Sequence, residues 1–297
     1  MLLLHINKMY EIMKSEWRSN MATKKVTHTI ISKAKRVIRE ADVVIITAGA
    51  GMGVDSGLKD FRGNDGFWEA YPALGNKKMS FASVATQQVL NENPHLAWAL
   101  YGHMFDIFHD VVPHTGFQSL LELALQKEDY FVVTSNIDGH FQKAEFEEDK
   151  IYEIHGRMNK FQCTQCGELW DVPDDTRFNV DSDLFELQDP PTCKDCGGIA
   201  RPNIMMFFDY GFDNEETEDQ AKRFNKFMNK YDKGDHKIAI IEFGAGEGVP
   251  TIRMMGEYIQ KNVEGATLIR VNPLDYEGPE GTISVKVGAL DAINILI

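Results

Sequence analysis

Cys163-Thr-Gln-Cys166 and Cys193-Lys-Asp-Cys196 hold all four cysteines of the chain, with 26 residues between the pairs. Two Cys-x-x-Cys knuckles at that separation are the pattern of a four-thiolate structural zinc site. Gly167, Gly197 and Gly198 follow the knuckles, where the backbone must turn tightly for its amides to point at sulfur. Two disulfides or a redox-active pair are the alternatives. A closed site of four cysteines leaves no open coordination position, so one structural zinc ion would hold the fold and do no chemistry. The second chemical signal is Gly49-Ala50-Gly51-Met-Gly53-Val-Asp-Ser-Gly57, directly after an apolar run. Such glycines let backbone amides approach a pyrophosphate at a helix N-terminus. A tight strand-to-helix turn without a ligand would use them as well. Asp60-Phe61-Arg62 follows, an acid, a ring and a guanidinium placed to reach the sugar and base of a nucleotide. The Gly- and Asn-bearing stretch after it would let that loop close.

These residues need elements to position them. Ile30, Ile31, Ala34, Val37 and Ile38 are spaced as the apolar face of a helix. Val43–Ala48 is a continuous apolar run, the mark of a strand buried on both faces. Tyr130–Thr134, Lys237–Phe243, Thr267–Val271 and Thr282–Val287 repeat it, and helical patterns at Thr115–Gln126, Thr251–Lys261 and Leu290–Ile297 fall between. The alternation predicts an α/β fold, a Rossmann-like doubly wound parallel sheet. Two stretches interrupt it: Phe81–Val112, helical with a boundary before Pro94, and Arg157–Pro202, which carries the cysteines and an acidic segment from Asp171 to Pro191. Both read as insertions forming a smaller helical plus zinc-ribbon module, at about 81–112 and 157–202. The larger part is then about 21–80, 113–156 and 203–297. The acidic cluster Asp213–Asp219 reads as a helix N-terminus.

From Ala34 to Ile297 the chain resembles the sirtuins. Gly49-Ala50-Gly51, then Ser56-Gly57, then Asp60-Phe61-Arg62 match that family's hallmark at its spacing. Asn136-Ile137-Asp138, Glu153-Ile-His155-Gly156, the cysteine pairs and the Arg201–Asp209 segment follow in the family's order. The resemblance implies an NAD-dependent protein lysine deacylase that expels nicotinamide and moves the acyl group to ADP-ribose, with an acylated protein as partner. It implies His155 as general base, a role suited to a side chain titrating near neutral pH. Asn136 would position ribose and water, and Asp138 the nicotinamide carboxamide. Phe61 would shield the cleaved face and Arg62 pair with phosphate or ribose oxygens. Ser135, Ile137, Gly244, Ala245, Asn272 and Ala289 complete the implied cofactor set. Met206, Phe207 and Phe208 would form the substrate groove, though that run could also be core packing. His103, His109, His114 and His140 lack such context and read as structural.

The chain departs from the family pattern at several points. Gly53 replaces a serine, Lys59 a proline and Ser135 a glutamine; Gly139-His140 stands for Leu-His, Glu145 for a glycine, and Gly244-Ala-Gly-Glu247 for Gly-Thr-Ser. NAD binding tolerates these changes more easily than efficient deacylation does. Mono-ADP-ribosyl transfer or NAD hydrolysis on the same fold is therefore an alternative, and a non-catalytic NAD- or ADP-ribose-sensing module a further one. No clear Tyr-x-x-Arg marks a succinyl pocket; Ala99-Leu-Tyr101-Gly is the nearest segment.

The 297 residues carry 31 Lys and Arg against 45 Asp and Glu, a net charge of −14. That balance repels phosphate backbones and anionic headgroups, which argues against nucleic acid and membrane partners. No apolar run approaches the roughly 20 residues of a membrane helix. Residues 1–20, opening Met1-Leu-Leu-Leu4, read as a possible N-terminal extension, since Met21 could be a second start. The free-thiol pattern and the short apolar start predict a cytoplasmic protein.

Overall fold

Val43–Ala48 forms strand β1 with every residue buried. Neighbouring side chains on a strand point to opposite faces, so a run with no exposed position must be covered on both. Val44 and Ile46 pack with the helices over 28–40, Thr115–Ala124 and Ala289–Leu296. Val43 and Ile45 pack with Glu215–Tyr231 and Thr251–Asn262. Each buried Val or Ile contributes about 1.5–3 kcal/mol relative to exposure, which fixes which way the sheet faces. The computed structural model describes residues 28–60, 63–181 and 184–297, with backbone alone at 63–65. The readings placed on residues 1–20, Phe61 and Arg62 lie outside the described residues.

The remaining strands are β2 (Asp129–Thr134), β3 (Ile151–Glu153), β4 (Gly156–Cys163), β5 (Leu169–Asp171), β6 (Ala200–Ile204), β7 (Ile238–Phe243), β8 (Ala266–Val271) and β9 (Ile283–Val285). Six of them form one sheet in the order β3-β2-β1-β7-β8-β9, all pairs parallel. The chain enters at the centre, runs outward to β3, then returns to the other side of β1. The connections from β1 and β7 therefore leave in opposite directions and open a crevice at the strands' C-terminal ends. The last apolar run makes a strand of three residues only, because the Val287 amide turns back to the Val285 carbonyl.

The two interrupting stretches lie together. Phe81–Val112 is three helices, Phe81–Val84, Gln87–Glu92 and Pro94–Asp110, with the expected boundary before Pro94 and a further one at Thr86. Thr86 and Asn93 make the breaks, their side-chain oxygens taking the amides of Val89 and Leu96, as Thr and Asn favour caps over helix interiors. β5-β4-β6 is a small antiparallel sheet. Trp98 donates from the long helix to the Ala200 carbonyl of β6 at 2.8 Å, and its ring meets Phe161 of β4 at 4.9 Å. Helices and ribbon thus share a second core, continuous from Phe67 through Trp98 to Met206. The acidic cluster Asp213–Asp219 opens the helix Glu215–Tyr231, as its charge pattern predicts.

Candidate active site

The crevice between β1 and β7 is a cavity of about 730 Å³ reaching from the two glycine loops to the second core, within the range of small-ligand sites. Its floor depends on two glycines. A Cβ on Gly49 would lie 2.9 Å from the Gly244 carbonyl oxygen, and one on Gly244 would lie 2.3 Å from the Gly51 backbone, at φ +61°. The amides of Gly49 and Gly51 donate to the carbonyls of Phe243 (2.9 Å) and Gly244 (3.1 Å). Here these glycines tie two loops together at backbone distance, rather than simply offering amides to an anion. Ala50, Ala245 and Gly246 border the same space.

The end of β2 supplies the polar wall. Thr134 Oγ1 donates to the Ala48 carbonyl and accepts the Asn136 amide, while Asn136 Nδ2 donates to the Gly49 carbonyl at 3.0 Å. Asn136 is thereby locked to the glycine loop. Asp138 Oδ1 accepts the His140 amide at 2.9 Å at the start of a short helix, and Asp138 borders the cavity with Ser135 and Ile137. His155 faces them from the turn between β3 and β4. Gly156 makes that turn possible: its φ is +73°, and a Cβ there would meet the Asn203 carbonyl at 2.3 Å. Burial holds the His155 imidazole below its ordinary pKa of 6.5, opposed by a hydrogen bond to the Ser135 backbone. A neutral imidazole keeps one basic ring nitrogen. A neutral histidine beside an ordered amide and a carboxylate can take a proton from a bound hydroxyl.

Asp60 also borders the cavity, and Lys59 is the one Lys or Arg that does so among the described residues. Two expected cofactor residues do not border it. Asn272 is fully buried behind the wall, donating to the Ala245 carbonyl at 2.9 Å and accepting the amides of Leu274 and Asp275; it shapes the loops that do. Ala289 lies in the core, and the amide of its neighbour Leu290 is held by Asp55 Oδ2 at 2.9 Å, so that helix start is already capped by a protein carboxylate. Met206 and Phe207 border the cavity, but Phe208 points away into solvent. The sequence reading missed Glu247 and Asp275 as wall residues, and Met104 and Phe108 with Tyr101. The last three are spaced i, i+3, i+7 on one helix, a face that periodicity could have shown.

The four cysteine sulfurs lie within 4.8 Å of one another, with separations of 3.4, 3.6 and 3.8 Å among three pairs. Thiolates held ~2.3 Å from a common tetrahedral centre sit ~3.8 Å apart, whereas a disulfide requires about 2.05 Å. The cluster therefore fits a metal and all four cysteines are unbridged. Gly167 and Gly197 turn at φ +78° and +75° as the knuckle pattern predicts.

The sequence profile of the Sir2 family matches residues 49–240. The chain belongs to the Sir2 family. Relatives in that family include an NAD-dependent protein deacylase of Leptospira interrogans, 26% identical over 226 residues, 76% of this chain and 79% of that protein. Another is an NAD-dependent protein deacylase of Aquifex aeolicus, 29% identical over 164 residues, 55% of this chain and 61% of the relative. Among solved structures, a Sir2 homologue bound to ADP-ribose matches at TM-score 0.65 and 21% identity, covering 89% of this chain and 94% of that one. A Sir2 homologue in complex with NAD matches at TM-score 0.63 and 19% identity, over 89% and 91%. The Sir2 fold, a parallel Rossmann-like sheet with a cysteine-bearing module, is thus shared. No described helix is long and apolar enough to cross a membrane.

Proposed function

We propose that the protein is an NAD-dependent protein lysine deacylase. The observation that carries this is the placement of a half-buried His155, its pKa lowered, across one cavity from Asn136 and Asp138, beside the paired glycine loops. The names of the Leptospira and Aquifex relatives support the same reading. The cavity suits the cofactor, because its space of about 730 Å³ runs along the backbone of both glycine loops to the polar wall of Ser135, Asn136 and Asp138. Bound NAD supplies an electrophilic sugar carbon, a nicotinamide leaving group and an acceptor hydroxyl, so that acyl-lysine, NAD and one water give lysine, nicotinamide and O-acyl-ADP-ribose. Asn136, pinned to Gly49, orients the sugar and a water. Asp138 orients the carboxamide, and His155 takes the hydroxyl proton on a ring nitrogen. The apolar wall of Tyr101, Met104, Phe108 and Phe207 excludes water around the acyl chain.

The substrate is a lysine side chain carried on an extended protein segment along Met205–Phe207. A zinc ion held by Cys163, Cys166, Cys193 and Cys196 keeps the ribbon folded, a role supported by their fit to four-thiolate geometry. The division into a larger part and a smaller module is supported by the two cores that flank the cavity. Mass spectrometry of NAD with the purified protein and an acetyl-lysine peptide, beside His155→Ala, tests the reading. Peptide-dependent nicotinamide and O-acetyl-ADP-ribose, lost in the variant, are expected. Nicotinamide release without peptide would indicate ADP-ribosyl transfer or NAD hydrolysis instead.

A further inference from the structure

Phe208 has φ +55°, a left-handed conformation that residues with a Cβ avoid. Its ring is 82% exposed and that of Tyr210 100% exposed, two large apolar groups left in water on one turn. The turn is held from inside. The buried carboxylate of Asp209 pairs with Arg201 and accepts the amides of Met206 (3.0 Å) and Gly211 (2.8 Å), while Arg201 also donates to the Ile204 carbonyl at 2.7 Å. A buried ion pair thus fixes a strained residue with both rings outward, the kind of cost that persists where a surface is used.

Beside the turn lies a separate cleft of about 510 Å³, walled by Phe208 and Tyr210 on one side and the cysteine-bearing ribbon on the other. In its wall Gln162 Oε1 is buried without a hydrogen-bond partner, an acceptor lacking a donor. From Asp209 to Ala221 the chain has six carboxylates and no Lys or Arg. Asp209 is neutralised inside; Lys160 answers Glu216 and Lys222 answers Asp219, so the surface next to the cleft keeps a negative balance.

We propose that this turn and cleft dock a cationic, extended segment of the protein substrate flanking the acylated lysine. A Lys or Arg side chain would lie over the exposed rings. The proposal rests on the deacylase reading, because Phe207 borders the catalytic cavity and Phe208, one residue on, borders the cleft. A chain whose acyl-lysine enters the first space continues over the second.

The test compares two peptides with the same central acetyl-lysine, one flanked by Lys and Arg, the other by Ser and Gly. The ratio of their kcat/KM values is expected to favour the basic peptide by about tenfold at low salt and to shrink as salt is raised. Phe208→Gly and Tyr210→Ala should each reduce that ratio about fivefold. The thermal midpoint of Phe208→Gly is expected to hold or rise, since glycine accepts the left-handed backbone. Equal kcat/KM for both peptides, or a ratio unmoved by the variants, overturns the proposal. Anisotropy of the labelled basic peptide without NAD separates the two readings. If neither peptide is turned over, the deacylase reading fails, and docking survives only if Phe208→Gly weakens peptide binding about fivefold.

Discussion

His155 depends on its neighbours for its chemistry. Burial lowers its pKa, while glycine at 156 fits the turn that aims it. A general base works in its neutral form, so activity should be full above the folded-state pKa and fall as pH drops through it. With that pKa pushed under 6.5, the acid limb of kcat/KM is expected to have its midpoint below pH 6.5; a midpoint above 7 would contradict the assignment. His155→Ala should cost about 10²–10⁴-fold in kcat, with NAD affinity by calorimetry changed little. Gly244→Ala makes the opposite kind of change. Its Cβ would meet the Gly51 backbone at 2.3 Å from a left-handed φ, so a loss of about 2–4 kcal/mol in denaturant unfolding and of NAD binding is expected.

At the scale of elements, the alternation of apolar runs with helical patterns gives five of the sheet's six strands, since strands buried on both faces leave a continuous signature. The three-residue edge strand β3 is too short to leave one. Periodicity is blind to the break at Thr86, a local side-chain cap, whereas Pro94 marks the one at Asn93. It is equally blind to Asn272, whose importance comes from three hydrogen bonds to segments distant in sequence or turned back on it. Asn272→Ala should leave the sheet folded, destabilise the chain by about 2–4 kcal/mol, and raise the KM for NAD more than it changes kcat. That split would mark a positioning role. The ribbon carries a second prediction at this scale. Its cysteines hold few residues of regular structure, and Trp98 couples it to the helical core. Metal analysis is expected to give about one zinc per chain, and Cys193→Ser to lose the zinc and lower the thermal midpoint. A metal-free protein with an unchanged melting curve would remove the structural role.

Across the whole molecule, burial has placed several histidines where a charge is unwelcome. His103, His114, His140 and His155 all have pKa values below 6.5, with desolvation the largest cause in each. His140 is the extreme case: its ring is fully buried, neither nitrogen has a hydrogen-bond partner, and Phe117 packs against its edge. Lys143 and His114 oppose its protonation, while Asp138 and the nearby Val111 backbone favour it. When such a group is depressed in the folded state, the unfolded chain binds more protons between the folded pKa and 6.5. Stability is therefore complete above pH 6.5 and declines as pH falls through that window. Glu153 and Glu242, raised by burial, act in the opposite sense, losing their contribution as pH rises. Denaturant titrations at pH 7.5 and 5.5 should show a lower unfolding free energy at 5.5. His140→Leu should flatten that difference without disturbing the sheet, because it swaps an unpartnered ring for an apolar chain in an apolar site. An unchanged pH slope in the variant would mean that His140 finds a partner in solution.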